Sequence, residues 1–266
     1  MLSEIVRSVR AERPVVHCIT NYVTANDCAN LLLACGASPV MADDPEEAAE
    51  ITSACSGLVI NMGTPNPRKL EAMYLAGRRA NDLGHPVVLD PVGVCSSGMR
   101  MREAKRLLET IRFAAIRGNA SEIRALVSGR TDGRGVDAGK SDGEDLEWAK
   151  RLALETGSVI VMTGEADIVT DGRETYRVRN GHSMMRLVTG AGCQLSALLG
   201  AYEAANAERP IAAALAAACA MGVCGEIAHE RLEKLDGNAS YRNYIIDAIC
   251  NMKPEEMEAR ARYEKC

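Results

Sequence analysis

The strongest chemical pattern in this sequence is a glycine-containing stretch, Thr189-Gly190-Ala191-Gly192-Cys193-Gln194. Its two glycines allow a tight turn and a close approach of the backbone to a ligand, and the apolar residues after them indicate a buried helix. The amides of Gly190 to Cys193 would then lie at a helix N-terminus, where free N–H groups and the helix dipole favour an anion. The stretch therefore predicts a site for phosphate or for a developing phosphoryl charge.

Cys193 falls in the first turn of that predicted helix. A thiol in this position is expected to have a lowered pKa, so it could accept a proton from an alcohol. Two alternatives stay open. The stretch also fits a plain turn with a buried cysteine, because Leu195 stands where the dinucleotide fingerprint has its third glycine. Cys193 could instead be the nucleophile of a hydrolase, which would require a histidine partner.

Polar residues at predicted strand ends supply a second group of candidates: Asp90, Arg117 and Thr163, with Glu122 one turn into a helix. Each has an ordinary alternative, such as a turn former for Asp90, a solvated strand end for Arg117, or a capping box with Asn119 for Glu122. Together with an anion loop, an acid, a base and a hydroxyl fit phosphoryl transfer, where catalysis is mostly positioning and charge neutralisation.

These candidates must be positioned by alternating strands and helices. Short apolar strands are predicted at 14–19, 37–41, 58–62, 87–90, 113–116 and 159–162, with a helix between most of them. Residues 168–176 are predicted as a hairpin around Asp171-Gly172, 128–143 as a surface loop, and the chain after 194 as helical to its end. We expect one domain over 1–266 with a three-layer α/β/α fold, a mostly parallel sheet, and the ligand crevice at the strand carboxyl ends.

Bulk composition limits the possible partners and compartment. The net charge of −5 argues against a nucleic-acid surface, and aromatic residues make up only 3% of the chain, so small side chains must build the core. The ten cysteines show neither zinc spacing nor a disulfide framework. No signal peptide is apparent, and the longest apolar run, 211–223, is shorter than a membrane span. We expect a cytoplasmic protein that binds small molecules, with no membrane partner.

Five blocks of sequence carry a resemblance to a known family. They are His17-Cys18-Ile19-Thr20-Asn21-Tyr22-Val23, Gly36-Ala37-Ser38-Pro39-Val40-Met41-Ala42, Leu89-Asp90-Pro91-Val92-Gly93, Arg117-Gly118-Asn119-Ala120-Ser121-Glu122-Ile123 and Thr189-Gly190-Ala191-Gly192-Cys193. On these blocks the sequence resembles the hydroxyethylthiazole kinases, which belong to the ribokinase-like kinases. The resemblance covers nearly the whole chain.

The resemblance implies a reaction and a role for each candidate residue. The reaction is Mg²⁺-dependent transfer of the ATP γ-phosphate to the primary alcohol of 4-methyl-5-(2-hydroxyethyl)thiazole, a salvage step towards thiamine. Met41 and Gly190 would contact the thiazole, with Asn21 beside them, while Arg117 and Thr163 would contact the nucleotide. Asp90 and Glu122 correspond to acidic positions near magnesium, and Cys193 stands where wider relatives carry an aspartate base.

The resemblance also implies a homotrimer with a pocket shared between chains. In support, the predicted helix over 23–35 is apolar on nearly all sides, although an outer-layer helix needs only one apolar stripe. One block departs from the family, since Val94-Cys95-Ser96-Ser97-Gly98 replaces the usual Gly-Ala-Thr step, and Ser96 or Ser97 would have to substitute. Two further alternatives are another ribokinase-like alcohol kinase, such as a hydroxymethylpyrimidine kinase, and a catalytically impaired nucleotide-binding relative.

Overall fold

A computed structural model describes residues 1–131 and 142–266, and the strands in these two ranges form one nine-stranded sheet. The strands are β1 Val15–Ile19, β2 Ser38–Val40, β3 Gly57–Asn61, β4 Val87–Asp90, β5 Ala115–Asn119, β6 Val159–Thr163, β7 Asp167–Thr170, β8 Thr175–Val178 and β9 Tyr263–Lys265. Their spatial order is β2-β1-β3-β4-β5-β6-β7-β8-β9. The six strands from β2 to β6 in this order pair in parallel, and β7, β8 and β9 add antiparallel pairs.

Helices cover both faces of the sheet. They are α1 Leu2–Glu12, α2 Ala25–Cys35, α3 Ala48–Ser53, α4 Pro67–Leu83, α5 Gly98–Thr110, α6 Ala120–Ser128, α7 Asp142–Thr156, α8 Ala191–Ala205, α9 Pro210–Glu230, α10 Asn238–Asn251 and α11 Pro254–Arg260. Alternate strand residues point to opposite faces, so Val59 packs in one core cluster and Leu58 and Ile60 in the other. The first cluster includes α1, α2 and α8 to α11, and the second includes α4 to α7. The predicted three-layer α/β/α arrangement is therefore observed.

Small residues allow the helices to approach the sheet closely, as the low aromatic content predicts. A Cβ atom at Gly200 of α8 would lie 2.4 Å from Val59 Cγ2, so this glycine permits the contact between α8 and β3. By length and composition, helix α9 is long and apolar enough to cross a membrane, and it is longer than the apolar run over 211–223. However, 78% of its most apolar stretch is buried inside the fold. It is accordingly a core helix of the first cluster.

The structure corrects the prediction for the C-terminal segment and shows what covers helix α2, and it does not describe most of the loop over 128–143. The chain is not helical to its end, because the last helix ends at Arg260 and Tyr263–Lys265 forms an edge strand that pairs with β8 of the predicted hairpin. Helix α2 is covered by α8 and α10 within one chain, although Leu33 remains 59% exposed. Most of the predicted surface loop over 128–143 lies outside the described residues.

Candidate active site

The carboxyl ends of neighbouring parallel strands bring the predicted polar residues to one edge of the sheet. The register pairs Asn61 at the end of β3 with Asp90 at the end of β4, and Asn119 at the end of β5 with Thr163 at the end of β6. Arg117 lies on β5 between these pairs, and Asn21 lies just beyond β1. Five adjacent strands, from β1 to β6 in spatial order, thus supply the polar side chains of one crevice.

Helix α8 delivers the glycine loop to this crevice. Gly190 is its N-cap residue, with φ of +80°, and a Cβ there would lie 2.1 Å from Thr24 Cγ2. A Cβ at Gly192 would lie 2.2 Å from Arg117 Nη1. Gly190 is therefore required by conformation and space, whereas Gly192 leaves room for the Arg117 guanidinium. The N-terminus of α8 and Arg117 together form an electropositive corner suited to phosphate.

Asp90 is fully buried and held through one of its two oxygens. Its Oδ2 accepts hydrogen bonds from Asn61 Nδ2 at 2.9 Å and Ser196 Oγ at 2.7 Å, and Arg117 Nη1 lies 3.8 Å from it. Burial raises the pKa of Asp90 to about 6, with Glu122 adding to the rise and Arg117, Ser196 and Asn61 opposing it. Its Oδ1 is buried and has no hydrogen-bond partner in the protein. An oxygen left in this state fits a hard cation or its bound water.

Arg117 and Thr163 are brought into direct contact. Arg117 Nη2 donates to Thr163 Oγ1 at 2.7 Å, and the buried Nε of Arg117 has no partner. The guanidinium is therefore oriented by a strand-end hydroxyl on one side and lies beside Asp90 on the other. Both residues predicted to contact the nucleotide belong to the same local network.

Asn21 and Cys193 are also neighbours. Asn21 Nδ2 donates to Cys193 Sγ at 3.4 Å and to Asn61 Oδ1 at 3.1 Å, while Asn21 Oδ1 accepts from the amides of Val23 and Thr24. The expectation of a lowered Cys193 pKa is wrong, because burial raises the pKa of this thiol and the Asp90 carboxylate adds to the rise. Desolvation outweighs the helix terminus at this position.

Glu122 forms the capping box that its sequence position allowed. Its Oε2 accepts from the Asn119 amide at 2.9 Å, and the Asn119 side chain accepts from the Glu122 amide in return. Its Oε1 accepts from the Gly93 amide at 2.9 Å, which ties the β4–α5 connection to α6. Glu122 therefore has a structural role at the crevice, and its role towards magnesium stays a prediction.

Met41 is the one predicted site residue that the fold keeps apart from the phosphate side. It follows β2, the outermost strand, and is 39% exposed. Three strand spacings separate β2 from the strand of Asp90, which amounts to about 14 Å. One chain alone therefore does not bring Met41 to Asp90 and Arg117.

Two polar residues of this network were missed from the sequence. Asn61 connects Asn21 to Asp90, and Ser196 holds Asp90 from the first turns of α8. A polar residue ending an otherwise apolar strand was the available signal for Asn61. Ser196 follows Cys193 by three residues, which places both on one helix face.

The thiol has no histidine partner among the four histidines of the chain. His17 bonds to Thr52 and Ala42, His182 stacks on His229, and His85 precedes β4 at the opposite end of the sheet. The geometry thus gives no support to a cysteine-nucleophile hydrolase. Within residues 1–131 and 142–266, no group of three or more His, Cys, Asp or Glu side chains could hold a metal ion by itself.

Comparison with known proteins decides the family. The sequence profile of the hydroxyethylthiazole kinase family matches residues 6–255. The chain belongs to this family. It is 52% identical over 271 residues to a hydroxyethylthiazole kinase of Clostridium acetobutylicum, with 99% of each chain covered.

Solved structures agree with this membership. The structure of a Pyrococcus horikoshii hydroxyethylthiazole kinase protein has a TM-score of 0.90 and 34% identity, and the match covers 100% of this chain and 98% of the other. A Bacillus subtilis pyridoxal kinase in complex with ADP has a TM-score of 0.61 at 19% identity, covering 84% of this chain and 93% of that one. The second likeness shows the fold alone, and with the first it confirms the predicted ribokinase-like fold class.

Proposed function

We propose that this member of the hydroxyethylthiazole kinase family transfers the γ-phosphate of ATP to the primary alcohol of 4-methyl-5-(2-hydroxyethyl)thiazole, in thiamine salvage. The observation that carries the proposal is the convergence of Asp90, Arg117 and the N-terminus of α8 at one edge of the sheet, in a chain of this family. In the reaction the alcohol oxygen forms a bond to the γ-phosphorus. The bond from that phosphorus to the bridging oxygen breaks, and ADP leaves with the electron pair.

The protein groups act mainly by charge and position. The amides at the start of α8 and the Arg117 guanidinium face the phosphoryl oxygens, and Thr163 fixes the guanidinium. Cys193 lies on the acceptor side, where Sγ would take the proton of the alcohol. Only the thiolate form can accept this proton. Because burial raises the pKa of Cys193, that form is scarce at neutral pH and its contribution is small, which suits a loose transition state that keeps the proton until late.

Asp90 and Glu122 are the residues that would hold Mg²⁺. The unpartnered Oδ1 of Asp90 fits an ion that prefers oxygen ligands and retains waters, since such an ion needs few direct carboxylates. When bound, Mg²⁺ supplies neutralisation of the charge on the ATP phosphates. Glu122 keeps the Gly93 backbone in place beside Asp90 whether or not it contacts the ion.

The thiazole side of the site is formed by Asn21, Met41 and Gly190 in our proposal, within a homotrimer. Tyr22 is 76% exposed, and Val23, Leu33 and Met41 are further exposed apolar side chains near α2 and β2. An apolar surface of this kind beside the crevice supports a contact with a second copy of the chain. Met41 of one chain would then face the Gly190 to Cys193 loop of its neighbour.

We also propose a cytoplasmic location for the enzyme. All ten cysteines are free, and seven of them are fully or largely buried as small core side chains. Free thiols in this number are typical of proteins in a reducing compartment.

A coupled ADP-release assay with ATP, Mg²⁺ and the thiazole alcohol tests the proposal. We expect ADP release that requires the alcohol and exceeds release with hydroxymethylpyrimidine by at least tenfold, because a pocket shaped for one ring discriminates against another. Equal or greater release with the pyrimidine would favour the other kinase. Nucleotide binding without any release would favour the impaired relative.

A further inference from the structure

Two basic side chains are buried near the crevice but outside the phosphate site. His17 lies on β1 and is fully buried, and Lys69 lies on the first turn of α4 with only 3% of its side chain exposed. Burying a cation costs several kcal/mol unless hydrogen bonds and a counter-charge compensate. The hydrogen-bond partners of Lys69 and His17 therefore show which part of the chain each side chain holds in place.

Lys69 holds the loop between β1 and α2. Its Nζ donates to the carbonyl oxygen of Thr20 at 3.0 Å, and the carboxylate of Asp43 lies 3.3 Å from the same nitrogen. Thr20 directly precedes Asn21, the side chain that contacts Cys193. A shift of the Thr20 carbonyl would therefore move Asn21.

His17 holds the loop between β2 and α3 in a matching way. Its Nε2 is 2.8 Å from the carbonyl oxygen of Ala42, the residue that follows Met41, and its Nδ1 is 2.9 Å from Thr52 Oγ1. A carbonyl only accepts, so Nε2 carries a proton and donates. Burial lowers the pKa of His17, which favours the neutral ring, and Nδ1 lies against the Thr52 hydroxyl, whose oxygen is also 2.8 Å from the Ala48 carbonyl oxygen.

The two contacts have the same form. Each buried base donates to the carbonyl adjacent to one residue of the substrate side, Asn21 in one loop and Met41 in the other. Asp43 joins the loops, because it lies in the Met41 loop and pairs with the lysine that holds the Asn21 loop. Residues 20–21 and 41–44 have no regular secondary structure, so side chains must fix their position.

We propose that His17 and Lys69 are positioning residues that fix the Asn21 and Met41 loops and thereby set the affinity for the thiazole alcohol. The inference rests on the proposed function, since it assigns these loops to the acceptor rather than to ATP. A small displacement of positioning groups is enough to weaken binding strongly.

Steady-state kinetics of Lys69→Met and His17→Leu test this inference. We expect KM for the thiazole alcohol to rise roughly 10-fold or more while KM for ATP stays within about twofold. Lys69→Arg and His17→Gln retain a donor, so they should recover part of the loss. Arg78→Met on the exposed side of α4 and His85→Gln at the far end of the sheet are matched controls, and both should leave the two KM values unchanged.

Asp43→Asn provides a variant that keeps the fold, because Asp43 is 58% exposed. It should raise KM for the alcohol less than Lys69→Met does, with an unchanged melting temperature. An equal rise in KM for the alcohol and KM for ATP would overturn the positioning role. A loss of kcat and melting temperature, with the ratio of these two KM values unchanged, would do the same. Both results would leave the proposed function standing. A wild-type chain that neither binds nor phosphorylates the thiazole alcohol would overturn the proposed function and this inference together.

Discussion

The thiol of Cys193 receives a hydrogen bond from Asn21 and lies beside the buried carboxylate of Asp90, which raises its pKa together with burial. A protonated thiol is a poor acceptor for a proton at neutral pH. The neighbouring Asp90 carboxylate, whose pKa burial raises to about 6, is bound through Oδ2 to two donors and so is held in place. At the scale of single residues, we therefore propose only a modest role for Cys193 in proton transfer.

Substitution of Cys193 tests this role. Cys193→Asp should keep kcat within about tenfold of the wild type, because a carboxylate accepts a proton more readily, whereas Cys193→Ala should lose roughly 10² to 10⁴. Single-turnover phosphoryl transfer measures both. Cys193→Ser conserves volume and controls for packing. Equal losses in the aspartate and alanine variants would contradict the base role, and a trapped phosphocysteine would refute it outright.

The location of polar residues at the strand ends was predictable from the sequence, but the pKa values and contacts of the site residues were not. Asp90, Arg117 and Thr163 follow or end apolar strands, so the sequence indicated their common edge, and the Asn119–Glu122 spacing indicated the capping box. The pKa of Cys193 depends on burial by residues that are distant in the sequence, Asp90 among them. The helix terminus alone therefore predicted a lowered pKa, which is the wrong direction. Ser196 was missed because nothing near it in sequence shows that its hydroxyl faces Asp90.

At the scale of elements, the entry of the chain into α8 depends on Gly190. Gly190→Ala should lower the free energy of unfolding by about 2–4 kcal/mol, since the new Cβ meets both a positive φ and Thr24 Cγ2. Urea unfolding measures the loss. Gly84→Ala is the matched control, because Gly84 also has a positive φ but nothing within 4 Å of its Cβ, so it should cost only about 1–2 kcal/mol.

The double variant Thr24→Ser/Gly190→Ala isolates the contact. Serine lacks Cγ2, so the double variant should be more stable than Gly190→Ala alone by about 1–2 kcal/mol. Strict additivity of the two single changes would mean that Thr24 and Gly190 do not meet as described.

Helix α8 also carries Glu203, a fully buried carboxyl whose two oxygens have no partner in the protein. Burial raises its pKa well above the usual value, so the folded state binds the proton more tightly than the unfolded state. Stability should therefore fall as pH rises above the ordinary glutamate pKa. Glu203→Gln cannot ionise, and its stability advantage over the wild type should grow by about 1.4 kcal/mol per pH unit between the two pKa values.

Unfolding curves at several pH values between 5 and 8 measure this difference. Glu147→Gln on the exposed side of α7 serves as a control and should show no such growth. A constant difference between Glu203→Gln and the wild type across this range would show that Glu203 is not a buried neutral acid.

Most elements followed from hydrophobic periodicity, and the exceptions have physical causes. The strand β9 was missed because Tyr263–Lys265 is exposed and charged, and only its pairing with β8 across the chain makes it a strand. Helix α9 lies within the stretch predicted as helical, and it continues to Glu230 although Gly225 and Glu226 interrupt its apolar run. Tertiary pairing, rather than local pattern, decided β9.

At the scale of the whole molecule, one sheet spans all nine described strands, and a single domain over 1–266 stays our prediction. The same topology keeps Met41 away from Asp90 within one chain. The proposed homotrimer resolves this by placing Met41 of one chain opposite the Gly190 to Cys193 loop of another.

Co-refolding of inactive Met41→Arg and Cys193→Ala chains tests the shared pocket. In mixed trimers about one interface in three would pair two intact halves, so partial activity should return. Each variant refolded alone is the control and should stay inactive. Mixed oligomers confirmed by size and mass that remain inactive would show that each site belongs to a single chain.

The most direct test of the central claim follows the transferred group itself. The enzyme is incubated with Mg²⁺, the thiazole alcohol and ATP that carries ¹⁸O in the three non-bridging oxygens of its γ-phosphate. The masses of the products are then measured by mass spectrometry. We predict a thiazole phosphate monoester that keeps all three labelled oxygens, with its ester oxygen from the alcohol, formed in equal amount with ADP. Labelled inorganic phosphate without the ester, or no consumption of ATP, would contradict the assignment.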